Sequence, residues 1–208
     1  MSIHSYQPSL LHADLIISTV ETPFPQPSII IHPFLIEKDM NQLENTITKM
    51  LAEKNKNKLK EFLFDLFDPR LFYTNMNMDR TQLIQTLCND AIRLDYADAS
   101  FTTDVFAREH MSSTAFEDAA VPYSLASNAK KSFISVVLCP QGMEWGTHEV
   151  HIVTLLGVHD DSGKLFAQIF DHLIEILSEP SFLNELVTCQ DYDSFIQKLT
   201  HYMDAVDV

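Results

Sequence analysis

The stretch EDAAVPYSLASNAKKSFISVVLC, from Glu117 to Cys139, has the pattern of strands at the end of a β-sheet. A short apolar run ends in Val121-Pro122-Tyr123, a polar loop follows, and a second apolar run from Phe133 to Leu138 is typical of a buried strand. Functional side chains are often placed where a strand of a rigid sheet meets a loop. Here the side chain after the proline is a tyrosine, so Tyr123 is the first candidate site residue.

Around this stretch, residues 68–208 alternate between strand-like and helix-like patterns. Strands are predicted at 71–73, 115–121, 132–138 and 150–158, and helices at 79–94, 102–111, 164–177, 181–187 and 191–203. Thr102, Thr103 and Asp104 are candidate caps at the start of the second helix. This alternation predicts an α/β fold in which a small mixed sheet is flanked by helices.

The first 67 residues have a different pattern. Two apolar runs of strand length lie between residues 10 and 35, and their continuous apolarity is typical of buried parallel strands. Two or three strands are too few for an independent domain. A helical pattern follows from Glu37 to Phe67, and its basic cluster, Lys54–Lys60, is either a solvated face or a break between two helices. We therefore divide the chain into an N-terminal segment (1–37), a helical linker (38–67) and an α/β domain (68–208).

The composition limits the possible partners and the compartment. The 208 residues carry a formal charge of −15, which opposes binding to phosphate backbones and suits a basic protein partner better than nucleic acid. No apolar run approaches the roughly 20 residues of a membrane-spanning helix, and the N-terminus does not have the pattern of a signal peptide. Three cysteines, far apart, argue against a disulfide framework, so we expect a cytoplasmic protein without membrane contact.

Several stretches together resemble a known family. They are REHMSSTAFEDAAVPY (108–123), KSFISVVLCPQGMEW (131–145), VHIVTLLGV (150–158) and KLFAQIFDHLIEIL (164–177). Over about residues 61–206 the chain resembles the fructose/mannitol-type EIIA domain (EIIA type 2) of the bacterial sugar phosphotransferase system (PTS). Residues 13–40 resemble the second half of the EIIB-like domain that precedes EIIA in PTS-controlled transcription regulators and antiterminators of the BglG/LicR type. The resemblance implies an EIIA-like fold after a partial EIIB-like segment, in the C-terminal part of such a regulator.

The chain departs from the family pattern at the site itself. That pattern, roughly R-E-x-x-S-S-T-A-F-G-N-x-x-A-I-P-H, ends in the phosphate-accepting histidine, and this chain has Tyr123 there. Arg108 of the family's polar residues is kept. Glu117-Asp118 replaces the glycine turn in a segment that is one residue shorter, and the second histidine of sugar-transporting members falls near Leu165. The EIIB-like segment begins after the position of that domain's phosphate-accepting cysteine.

These departures bear on the chemistry of the site. Imidazole is a competent nucleophile near pH 7 and forms a high-energy N–P bond, whereas a phenol is mostly protonated at that pH and its phosphate ester is too stable to be passed on. Glu117 and Asp118 are also expected to repel an incoming phosphate. The resemblance therefore implies a regulatory module that docks PTS proteins such as HPr and EIIB, or other domains of the parent regulator, without accepting phosphate at Tyr123.

Two alternatives remain open. The first is an active phosphocarrier in which His110, close to Arg108 in sequence, is a displaced acceptor, although a histidine at a helix C-terminus also interacts favourably with the helix dipole. The second is a domain that only stabilises a larger regulator. His148 and His151 lie in a predicted strand, where positions i and i+3 point to opposite faces, so we expect no metal site there. Nothing in the sequence calls for a cofactor.

Overall fold

The structure is a computed structural model that describes residues 13–22, 26–76, 78–124, 128–159 and 163–205, with the backbone alone at 163–166. The chain divides into two compact units, Met1–Asn57 and Lys58–Val208. The boundary between them lies inside the segment predicted as a helical linker.

The first unit contains a two-stranded parallel sheet and the first part of helix α1. Strands β1 (Ile16–Ser18) and β2 (Ser28–Ile30) pair in parallel, as the two apolar runs predicted. The prediction that these strands are buried is wrong, because Ile29 is the one buried residue of the six. Helix α1 (Glu37–Asp65) runs without interruption through the basic cluster, so the alternative of a break between two helices is wrong. Within that cluster, Lys54 and Lys58 are exposed and form part of a solvated face.

The second unit is built on a five-stranded mixed sheet with the strand order β3-β6-β7-β5-β4. The strands are β3 (Phe67–Thr74), β4 (Ala115–Phe116), β5 (Ala119–Ala120), β6 (Phe133–Trp145) and β7 (His148–Gly157). β6 pairs with β7 in an antiparallel arrangement and with β3 in a parallel one. β5 is parallel to β7 and antiparallel to β4. This sheet confirms the predicted α/β class.

Three of the predicted strands differ from those observed. Strand β3 begins at Phe67, four residues before its predicted start. The segment predicted as one strand at 115–121 is the short hairpin of β4 and β5, because Glu117 and Asp118 form a tight turn between them. Strand β6 continues past its predicted end at Leu138, since a register shift before Met143 allows Pro140 to stay outside regular pairing. Gly142 has a φ of 77° at this irregularity, a conformation that glycine adopts without strain.

Helices cover both faces of the sheet. Helices α2 (Arg80–Arg93) and α3 (Phe101–Met111) pack on one face. The other face is covered by α4 (Gly163–Leu177), α5 (Pro180–Val187), α6 (Tyr192–Ala205) and the end of α1. Ile134, Val136 and Leu138 of β6 point to the α4–α6 side, and Phe133 and Val137 point to the α2–α3 side. Among the helices that the structure describes, none is long and apolar enough to cross a membrane.

The starts of α2 and α3 differ in how they are capped. Asp79 and Gln82 form a capping box at the start of α2. The predicted caps Thr102, Thr103 and Asp104 of α3 are wrong, because the helix already begins at the fully buried Phe101 and its N-cap, Ser100, makes no side-chain capping bond. The Asp104 carboxylate instead accepts a hydrogen bond from the side-chain amide of Asn128.

Gly157, the last residue of β7, lies opposite Phe133 in the sheet. A Cβ at Gly157 would lie 2.5 Å from Cδ1 of Phe133 and closer still to Cε1, while the Phe133 ring is held by Tyr96 and Phe101. We expect Gly157→Ala to lower the free energy of unfolding by about 1–3 kcal/mol, measured by urea denaturation. Since Phe133→Leu relieves the clash, the double variant should lose less than the sum of the two single losses. Additive losses would show that these two residues do not compete for space.

Candidate functional site

Tyr123 follows strand β5 and lies beside the C-terminal end of β7. It forms an isolated parallel bridge with Leu156, and the Leu156 N–H donates to the Pro122 carbonyl at 3.0 Å. Two residues earlier, the Val121 N–H donates to the Thr114 carbonyl at 3.1 Å. These bonds fix the backbone on both sides of Pro122, so the position of Tyr123 is set by the sheet.

The ring of Tyr123 lies between an arginine and a phenylalanine. Cζ of Arg108, from the last turn of α3, is 4.7 Å from the centre of the ring, which is the geometry of a cation–π contact. Phe170 of α4 meets the ring edge to face, with 6.2 Å between the ring centres. Arg108 Nη1 also donates to the Ser112 carbonyl at 2.9 Å. The structure therefore brings together Tyr123 and Arg108, two residues that the family pattern singled out.

A buried carboxylate next to Arg108 holds the segment that leads to this site. Glu109 accepts hydrogen bonds from Nε1 of Trp145 at 2.8 Å and from Oγ1 of Thr114 at 2.6 Å, and longer ones from the Thr114 N–H. Arg80 Nη1 lies 3.6 Å from the same carboxylate. The sequence analysis did not identify Glu109 as a site residue. Its place directly after Arg108 in the family pattern was a usable signal, but two of its partners, Trp145 and Arg80, are far away in sequence.

The acidic turn between β4 and β5 is not next to Tyr123. Asp118 accepts a backbone hydrogen bond from His151, whereas Tyr123 is bridged to Leu156. Five residues of strand separate these two positions by about 17 Å, roughly twice the screening length of about 8 Å at physiological salt. The expectation that Glu117 and Asp118 repel phosphate at Tyr123 is therefore wrong. Glu117 has a φ of 44°, which lies in the left-handed region. The glycine that the family pattern has at this position adopts such a conformation without strain.

His110 lies on a different side of α3 from Arg108. Two positions on an α-helix point about 200° apart, and the exposed His110 ring has its Nδ1 2.7 Å from the Phe106 carbonyl. It borders a cavity of about 240 Å³ that is also lined by Arg80, Thr81, Ile84, Phe106 and Glu109. No contact in the described part of the chain brings His110 to Tyr123. The side chain of Leu165 lies outside what the structure describes.

The cysteines and the histidines of β7 lie outside this site. Cys88, Cys139 and Cys189 are buried free thiols, and burial raises the pKa of Cys88 to about 12 and that of Cys139 to about 11. His148 and His151 both lie on β7, which begins two residues before its predicted start, and Nδ1 of His151 is 3.3 Å from the Cys139 carbonyl. In the described ranges, no group of three or more His, Cys, Asp or Glu side chains is placed to hold a metal ion.

Comparison with known families agrees with the fold of the second unit. The family described as "Phosphoenolpyruvate-dependent sugar phosphotransferase system, EIIA 2" matches residues 65–202. The chain belongs to this family. The sheet of the second unit, the Arg108–Tyr123 contact and the Glu109 hydrogen bonds all lie within its EIIA domain.

Two relatives of this EIIA-containing chain are regulators of Bacillus subtilis strain 168. "Probable licABCH operon regulator" is 26% identical over 193 residues, covering 89% of this chain and 29% of the relative. "Transcriptional regulator ManR" is 26% identical over 192 residues, covering 90% and 30%. The chain thus spans less than a third of the length of these curated relatives. Among solved structures, a complex of enzyme IIAMTL and phosphorylated enzyme IIBMTL from Escherichia coli has a similar fold, with 16% identity, coverage of 65% and 99%, and a TM-score of 0.57.

The Glu109 hydrogen bonds can be tested with the only tryptophan of the sequence. Glu109→Ala leaves the buried Trp145 and Thr114 donors of the EIIA domain without their acceptor, so we expect a loss of about 3 kcal/mol in the free energy of unfolding. Trp145 emission should change at the same time. Glu117→Ala, at an exposed carboxylate, is the matched control and should leave the emission unchanged. Equal effects of the two variants would refute the role given to Glu109.

Proposed function

We propose that this EIIA domain is a docking and regulatory module of the PTS, part of a transcription regulator, and that it does not accept phosphate at Tyr123. The observation that carries the proposal is the Tyr123 ring, which lies between Arg108 and Phe170 and which the family resemblance aligns with the acceptor position. In this arrangement Arg108 contacts an aromatic ring. In an acceptor site, an arginine at this position would bind the phosphate.

The chemistry of the two side chains supports this reading. Transfer between PTS proteins needs an acceptor atom, such as an imidazole nitrogen, that takes the phosphoryl group and can then pass it on. An imidazole nitrogen is a nucleophile near neutral pH, while a tyrosine hydroxyl needs an activating base. The cation–π and edge-to-face contacts of the Tyr123 ring are with Arg108 and Phe170, and neither of these side chains is a base. A domain with this site keeps the shape of an EIIA protein without its transfer step.

The relatives support the regulatory setting. Both Bacillus subtilis relatives are named as regulators, and each is more than three times longer than the matched region. The solved complex places enzyme IIAMTL of Escherichia coli against phosphorylated enzyme IIBMTL. By analogy, we propose HPr, an EIIB protein or other domains of the parent regulator as partners of this chain.

The competing proposal is an active phosphocarrier with His110 as the displaced acceptor. It is favoured by the exposure of His110 and by Arg80, which lines the same cavity and carries a charge suited to phosphate. Against it stands Glu109, whose carboxylate lines that cavity too and opposes an anion there. Intact-mass analysis after incubation with phosphoenolpyruvate, enzyme I and HPr separates the two proposals.

For the unmodified chain we expect no mass increase of about 80 Da, which one phosphate would add. Tyr123→His should gain acid-labile phosphate, because imidazole restores the nucleophile beside Arg108. Adding Leu165→His should raise the labelled fraction, and adding Arg108→Ala should lower it. Tyr123→Phe is the matched variant without an acceptor. Glu117→Gly should leave labelling unchanged, since the turn is about 17 Å from the acceptor position along the strand.

Labelling of the unmodified chain would overturn the main proposal. If the label is then lost in His110→Ala but kept in Tyr123→Phe, the displaced-acceptor proposal replaces it. If Tyr123→His takes no phosphate while its fold is intact by circular dichroism, the position of Tyr123 is not an acceptor position, and the argument from the site fails.

The charge of the chain gives a separate prediction about docking. At −15, the surface attracts a partner that presents a positive patch. We expect the affinity for such a PTS protein, measured by calorimetry, to fall about tenfold as salt rises through the physiological range, where the screening length is about 8 Å. Salt-insensitive binding would contradict the electrostatic account. Absence of binding to every PTS protein tested would favour the alternative of a purely stabilising domain.

A further inference from the structure

Large apolar side chains are exposed mainly in the first unit. Of the ten with substantial exposure among the described residues, nine lie between residues 17 and 51. Six of them form a group that we name the α1 apolar face. Its members are Phe34, Leu35, Ile36, Met40, Ile47 and Leu51. Phe34 is 87% exposed, an unusual state for a phenylalanine in a folded unit, so this face is suited to contact with another surface.

The helical part of this face has the spacing of a helix–helix contact. Met40, Ile47 and Leu51 are separated by seven and four positions, so they share one side of α1. Leu43 and Met50 are partly buried and flank the same side. Apolar residues at such positions form the seam between paired helices.

The segment before the helix is held in place. The buried Asp39 carboxylate accepts hydrogen bonds from the N–H groups of His32 and Ile36, each at 3.2 Å, and its Oδ1 lies 2.9 Å from Nδ1 of the His32 ring. The His32 hydrogen bond lowers the pKa of Asp39 below its usual value. Residues 33–35 are thereby tied at both ends to the first turn of α1, so the apolar face is formed before any partner binds.

The charges of α1 fit a second copy of the same helix. The helix carries six lysines and six carboxylates and is neutral, in a chain whose charge is −15. Two copies therefore repel each other less along α1 than elsewhere. The six carboxylates divide evenly between the two halves of the helix, but five of the six lysines lie between residues 49 and 60, so the first half is net negative and the second half net positive. An antiparallel pair places the acidic half of each helix against the basic half of the other.

We propose that Ile47 and Leu51 of the α1 apolar face form the centre of a homodimer interface in which two copies of α1 cross in an antiparallel arrangement near residue 49. A two-fold axis there places Ile47 opposite Leu51 of the second copy and Glu44 opposite Lys54 of the second copy. Lys54 contacts Asp14 of its own chain at 3.0 Å, but both side chains are exposed, and exchange of such a surface pair costs little. The proposal does not depend on what Tyr123 does.

Sedimentation equilibrium of the 208-residue chain tests the dimer. We expect a mass of twice 23.8 kDa at high concentration and dissociation on dilution. Ile47→Asp should raise the dissociation constant at least about 100-fold, because it puts a charge in the centre of the seam. Asn45→Asp adds the same charge about 200° away around the helix and should leave the dimer intact. Circular dichroism of each variant checks that α1 is still folded.

Charge exchange tests the orientation. Glu44→Lys should weaken the dimer about tenfold, and adding Lys54→Glu should restore it, which happens only if these positions face each other across the axis. A wild-type chain that stays monomeric at every concentration overturns the proposal. The α1 apolar face would then be expected to contact another segment of a longer protein. A dimer that Ile47→Asp does not weaken also overturns it, since the interface then lies elsewhere. Failure of the charge exchange overturns the antiparallel crossing.

Discussion

The antiparallel pairing of β6 with β7 is the interaction on which the EIIA domain depends. Strand β3 is attached to β6, and β5 with its partner β4 is attached to β7. Side chains of β6 enter both cores in alternation, so the same pairing positions the helices on each face. A polar residue in this strand needs an internal partner, and Ser135 finds one by donating to the Leu71 carbonyl of β3. Because β7 also bridges to Tyr123, this pairing sets the location of the site.

The site itself depends on side chains from separate elements. Arg108 comes from the end of α3, Tyr123 from the exit of β5 and Phe170 from the middle of α4. Glu109 joins α3 to the end of β6 through Trp145 and to the loop before β4 through Thr114. Glu109 thus holds the fold together, while Arg108 contacts the ring of Tyr123. In the function proposed above, the frame of an acceptor site is maintained around a side chain that is a poor acceptor.

Burial changes along the length of α1 in a way that distinguishes the two units. In its last turns Leu63 is buried and Leu59 and Phe62 pack against the core of the second unit. In its first half Met40 and Ile47 are exposed on one side. The apolar residues in its last turns join the core of the second unit, whereas several of those in its first half are exposed. The second unit buries its apolar surface by itself, and the first unit leaves a large part of its own exposed.

The sequence by itself determined the α/β class, the order of the main helices and the pairing of Arg108 with Tyr123 in one site, because these depend on local periodicity and on a motif that lies within 16 consecutive residues. It did not determine the hairpin in 115–121, the length of β6 or the start of α3. The turn at Glu117 and Asp118 decided the hairpin, a register shift decided the length of β6, and the burial of Phe101 decided the start of α3. The role of Glu109 and the distance between Glu117 and Tyr123 were decided by contacts between separate segments of the fold. Strand register and hydrogen bonds across the sheet bring together residues that are far apart in the sequence. Local sequence patterns therefore do not predict these contacts.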